Sequence, residues 1–96
     1  MEEKDLQNYF KKQCKRNGIY YRKVAAVSVR GFPDCFLLKG GIVYLVELKS
    51  PKGTGKLSRH QKREAELLTK EGANYFSAAS KEEVDQIIQQ LLLASS

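Results

Sequence analysis

The sequence predicts an α/β fold, a mixed four-stranded sheet flanked by helices in the order α-β-β-β-α-β-α, and three observations carry that expectation. A glycine pair, Gly40-Gly41, separates two strand-like runs, and such a pair suits a tight hairpin. In the second run Ile42, Tyr44, Val46 and Leu48 alternate with Val43 and Leu45, so both faces are apolar, as in a strand covered on both sides in the middle of a sheet. Two capping boxes, Ser58-Arg59-His60-Gln61 and Ser80-Lys81-Glu82-Glu83, open helices on either side of a short apolar run.

The elements follow in order. Leu6, Tyr9/Phe10 and Gln13/Cys14 recur at helical spacing, with acids at the start, bases at the end and Gly18 just beyond, which predicts a helix over 2–16. Residues 19–25 are rich in β-branched and aromatic side chains and read as a strand, followed by a turn around Arg30-Gly31-Phe32-Pro33. Strands over 34–39 and 42–49 form the hairpin. Residues 50–57 carry Pro and two Gly without periodicity and read as a basic loop. A helix to about Glu71, stopped by Gly72, precedes a strand over 74–78. The last helix presents Val84, Ile87, Ile88, Leu91 and Leu92 as its apolar stripe.

With 96 residues the chain is expected to be one domain, 1–96, with a single core and little apolar surface left over to enclose a large organic cofactor. No apolar run approaches the ~20 residues of a membrane span, and the acidic opening is unlike a secretory signal, so the expectation is a soluble, cytoplasmic protein. Cys14 and Cys35 form no metal-binding pattern and are expected to be reduced. Charge is unevenly spread: the stretch from Lys11 to Arg63 holds fourteen of the seventeen bases and two of the eleven acids, a local charge of +12. Such a field suits a polyanion such as nucleic acid, although a solvated surface has the same composition.

The two acids in that field, Asp34 and Glu47, are the chemical clue. Pairing about Gly40-Gly41 sets opposite each other residues whose numbers sum to 81, and Asp34 and Glu47 do so. Opposed carboxylates repel unless a cation lies between them, one is protonated, or Lys49 bridges both; Glu47 and Lys49 could also simply neutralise each other. A hard divalent ion, Mg2+ or Mn2+, with oxygen ligands answers the need and suits phosphoryl chemistry, where Lys49 could orient water or neutralise transition-state charge. His60, alone beside a capping box, reads as a surface residue.

Gly31-Phe32-Pro33-Asp34, Val46-Glu47-Leu48-Lys49 and Leu57-Ser58-Arg59-His60-Gln61 together resemble the PD-(D/E)xK nuclease signature, specifically the VRR-NUC family. The resemblance covers about residues 3–63 and implies a restriction-endonuclease-like core. It implies Asp34 and Glu47 as metal ligands with the Leu48 carbonyl, Lys49 as the catalytic lysine, and Gln61 and Glu3 as further active-site residues, Glu2 being an equal candidate for the first-helix acid. Gln61 is thereby assigned both a cap and a site role, which are expected to require two rotamers. Arg30, Lys52, Lys56 and Arg59 would contact phosphates. The family further implies a Mg2+- or Mn2+-dependent endodeoxyribonuclease acting on branched DNA, a four-way-junction resolvase working as a homodimer. A nuclease without junction preference and a non-cutting nucleic-acid-binding module are the alternatives. The broad apolar run of the last helix offers a surface for dimerisation.

Overall fold

The computed structural model describes residues 2–25, 29–49 and 56–94. Helix α1 spans Glu3–Arg16, strands β1, β2 and β3 span Tyr20–Lys23, Cys35–Lys39 and Ile42–Leu48, helix α2 spans Arg59–Lys70, β4 spans Asn74–Ala78 and α3 spans Lys81–Ala94. The order α-β-β-β-α-β-α is the one the sequence predicts. The sheet runs β1-β2-β3-β4, antiparallel except for the parallel β3–β4 pair, so β3 is interior as expected.

Local chemistry sets the boundaries. Gly40 and Gly41 both have positive φ, 60° and 81°, as a type I′ turn requires, and this turn locks β2 against β3 in the register Cys35↔Val46 through Lys39↔Ile42. Both α1 and α2 end in Schellman motifs. The Ile19 amide donates to Cys14 O (2.9 Å) past Gly18, and the Ala73 amide to Leu68 O (2.9 Å) past Gly72. This use of the Ile19 amide starts β1 one residue later than the composition suggests. At the other end the Val24 amide still pairs with Asp34 O (2.7 Å), although the regular strand stops at Lys23.

One sheet face is packed. Leu37, Tyr44, Val46 and Leu48 meet Leu6, Phe10 and Cys14 of α1 and Val84, Ile87, Ile88 and Leu91 of α3 in one buried cluster. Both thiols lie in it, free, and burial pushes each up to about 12. The other face departs from the expectation of full cover. Helix α2 leans on β4 and contributes no buried residue, and Val43 remains 41% exposed. The breadth of the α3 apolar run is likewise mostly absorbed: Ile87, Ile88 and Leu91 are buried, Leu92 packs against the core, and Leu93 alone of the run stands in solvent. Among the described residues no helix is long and apolar enough to cross a membrane.

Candidate active site

The hairpin brings the two central acids together. Continuing the β2–β3 register by one step sets Asp34 opposite Glu47, and the structure ties them reciprocally through backbone. The Asp34 amide donates to Glu47 Oε2 (3.2 Å), and the Leu48 amide donates to Asp34 Oδ2 (3.0 Å). Each carboxylate is thus aimed by the opposite strand rather than by a flexible side-chain contact. Pro33, fully buried, anchors the approach to Asp34.

Glu47 is 2% exposed and is the only buried charged residue among those described. Burial, and next the charge of Asp34, push its carboxyl up to about 8, with Lys49 pulling the other way. A divalent cation beside the pair would favour the charged form of both carboxyls. The donor set, two opposed carboxylates with their orientations fixed by backbone amides, therefore fits a hard divalent ion. Asp34 and Glu47 are the carboxylates that could hold it.

Lys49 and Gln61 complete the cluster from the same side. Lys49 Nζ donates to Gln61 Oε1 (2.5 Å), and Gln61 Nε2 donates to Glu47 Oε1. Gln61 thus stands between the lysine and the acid. The same Oε1 also accepts from the Ser58 amide (2.8 Å), while Ser58 Oγ accepts from the Gln61 amide (3.2 Å), closing the capping box. The two roles of Gln61 therefore need one rotamer, not two. An amide oxygen has two lone pairs, enough for the cap and the lysine together, and the amide nitrogen is left for Glu47.

The remaining predicted residues are less convergent. Glu2 is the N-cap of α1, with its amide bonded to Asp5 Oδ2 (3.2 Å), whereas Glu3 lines a cleft between α1 and β1. Among the described residues no three acids, histidines or cysteines form a metal-binding group. Arg30, Lys56 and Arg59 are exposed, Arg59 opening α2 and Arg30 sharing a shallow recess with His60 and Arg63. Lys52 lies outside the described residues.

Two contributors escape sequence reasoning. Gly31, with φ +85°, brings its backbone against the first turn of α2: a Cβ there would stand 2.4 Å from both His60 C and His60 O and 2.7 Å from the Gln61 amide. The glycine is visible in the sequence as a turn residue, but its tertiary contact is not. Tyr75, opposite Leu45 on the Glu47 face, has its hydroxyl pushed up to about 12 by burial and then by the charges of Glu47 and Asp34.

Fold and site define an α/β domain with an opposed acid pair, a lysine and a glutamine gathered at one end of its sheet. Comparison with solved structures narrows the class. One chain described as a VRR_NUC domain is 35% identical, covering 91% of this chain and 94% of its own length, with a TM-score of 0.81. A second, described as a VRR_NUC domain protein, is 22% identical, with coverage of 97% and 89% and a TM-score of 0.79, and shares the fold. No protein-family model and no curated protein matches. The chain belongs to the VRR-NUC family of nuclease domains.

Proposed function

We propose that this chain is a metal-dependent endodeoxyribonuclease that hydrolyses phosphodiester bonds in branched DNA, working as a homodimer on four-way junctions. The observation that carries the hydrolytic reading is the buried Glu47 carboxylate opposed to Asp34, with Lys49 and Gln61 bonded to the same cluster. A binding module has no use for a buried acid pair within a basic field, since the acids would repel the phosphates it binds.

Asp34, Glu47 and the Leu48 carbonyl are the groups that would hold Mg2+ or Mn2+. The bound ion supplies positive charge to the scissile phosphate and a lowered pKa to water. The protein's own part is orientation and charge. Backbone amides hold both carboxylates before substrate arrives, so no reorganisation is needed at the moment of reaction. The Lys49 ammonium is positioned by Gln61 Oε1, where it can hydrogen-bond a phosphate oxygen or the attacking water and offset the charge developing on phosphorus. Gln61 transmits the position of α2 to both catalytic groups through its single side chain.

Junction preference and dimerisation are supported by the demand that two strands be cut, for which one acid pair per chain requires two chains. The packed α3 adds little to this, since only Leu93 of its run is left uncovered. The experiment is incubation of the protein with a labelled four-way junction, a duplex and a single strand, with Mg2+, Mn2+ or EDTA, alongside Asp34→Ala and Lys49→Ala. Symmetric, metal-dependent junction cuts that both variants lose are expected. Equal cutting of every substrate would leave a nuclease without junction preference, and tight binding without cleavage in any metal would leave a binding module.

A further inference from the structure

The lysines of the α1–β1 side have no part in the site described so far, yet three of them converge. Lys4 and Lys11 of α1 and Lys23 of β1 line a cleft of about 460 Å³, together with Gln7, Asn8, Tyr21 and the single acid Glu3. All three lysines are exposed, and none is held in an ion pair among the described residues. Lys4, Asn8 and Lys11 fall on one stripe of the helix, and seven residues of helix set the two lysines about 10 Å apart along its axis. The second wall is fixed by the sheet rather than by the helix, so the cleft is defined from two sides.

Its position gives it a purpose. Lys23 pairs across the sheet with Cys35, the neighbour of Asp34, and the next amide, Val24, donates to Asp34 O (2.7 Å). Tyr21 packs edge-on against Phe10, which puts this part of β1 on the α1 face, opposite the face from which Gln61 reaches Glu47. The cleft therefore lies on the α1 face of the sheet, beside the strand end that leads into Asp34, while the Glu47 carboxylate is on the α2 face. Beyond Lys11 and Tyr21 a smaller recess continues the groove past Lys15 and Arg22.

We infer that the α1–β1 cleft is a second contact surface for substrate, holding the sugar–phosphate backbone of the DNA through Lys4, Lys11 and Lys23 while Gln7 and Asn8 hydrogen-bond it. The inference rests on the nuclease reading for the identity of the polyanion, and it assigns a binding role to residues other than the expected phosphate contacts Arg30, Lys52, Lys56 and Arg59.

The test is binding of a fluorescently labelled DNA duplex, measured over a range of salt concentrations in the cleavage-suppressed Asp34→Asn background with EDTA. The triple variant Lys4→Ala/Lys11→Ala/Lys23→Ala is compared with Lys12→Ala/Arg16→Ala/Lys81→Ala, which removes the same charge from exposed positions outside the groove. The cleft triple is expected to flatten the slope of log affinity against log salt by about two to three and to weaken binding at least about tenfold, with the control triple close to the parent. Asn8→Asp, which adds one negative charge and removes no lysine, is expected to weaken binding several-fold. Equal losses in both triples would show a general charge effect and overturn the inference, as would an unchanged slope in the cleft triple. The nuclease reading fails separately, through absence of metal-dependent cleavage by the unmodified chain, whatever the cleft variants do to binding.

Discussion

The two faces of the sheet are built to different standards. Against α1 and α3 the sheet buries Leu37, Tyr44, Val46 and Leu48 in a continuous apolar cluster with fully buried partners such as Leu6, Phe10 and Leu91. Against α2 it buries one charged residue, Glu47, and leaves Tyr20, Val43 and Leu67 each more than 40% exposed. Hydrophobic burial holds the first face. The first turn of α2 is held instead by directed contacts: Gln61 to Glu47 and Lys49, and the Gly31 backbone against His60. Stability and chemistry are thereby separated, and the chemical face can carry a repelling acid pair because the other face supplies the folding energy.

The largest effect expected from this contrast is on stability. Phe10→Ala should cost about 3–5 kcal/mol, whereas Leu67→Ala on α2 should cost less than about 1 kcal/mol, because only the former leaves a cavity. Urea unfolding of both variants checks it, and similar costs would erase the distinction between the faces.

Next in size is Gly31→Ala. The added methyl meets the His60 backbone at 2.4 Å and the residue is held at a positive φ, so a loss of about 2–4 kcal/mol is expected. Because the displaced turn carries Gln61, metal-dependent DNA cleavage should fall more steeply than the folded fraction does. Activity that merely tracked the folded fraction would reduce Gly31 to a turn residue.

The acid pair gives the third prediction, with a definite sign. Glu47 ordinarily titrates near 4.5 and is pushed up to about 8 in the fold, so between these pH values the folded chain holds a proton that the unfolded chain has released. The Glu47 contribution to the stability of the metal-free protein is therefore full below about pH 4.5 and is lost as pH rises through 8, by up to about 1 kcal/mol per pH unit. Glu47→Gln should remove that slope, and added Mg2+ or Mn2+ should flatten it in the parent protein. Thermal melts in EDTA and in metal across this range measure it; a melting temperature that rose over the interval would contradict the burial argument.

The smallest effect belongs to Ser58→Ala, which deletes the N-cap oxygen of α2 and should cost about 1 kcal/mol. Cleavage should change only a few-fold, since Gln61 keeps its bonds to Glu47 and Lys49. A loss as large as that of Gly31→Ala would mean that the cap, not the glycine contact, sets the position of α2.

Much of this site is legible in the chain. The opposition of Asp34 and Glu47 can be counted from the Gly40-Gly41 turn, since a two-residue turn at positive φ allows one register and the register places every later pair. The helix starts at Ser58 and Ser80 are legible for a similar reason: side chains three residues apart close local hydrogen bonds that need nothing from the rest of the fold. The sharing of one Gln61 side chain between cap and site is not legible, because it depends on where α2 comes to rest against β3. Nor is the uneven cover of β3, whose apolar residues on the α2 side suggest a helix packed more closely than the one found.

By itself, then, the sequence determined the element order, the turn, the caps and the facing of the two acids, because each follows from bonds or sterics within a few residues or from a register that one turn propagates. Only the tertiary structure decided that α2 leans on β4 without burying a residue, that Gly31 meets His60, and that Glu3 lines a cleft with three lysines. Those outcomes turn on distances between elements far apart in the chain, which are set by how the core on the other face packs.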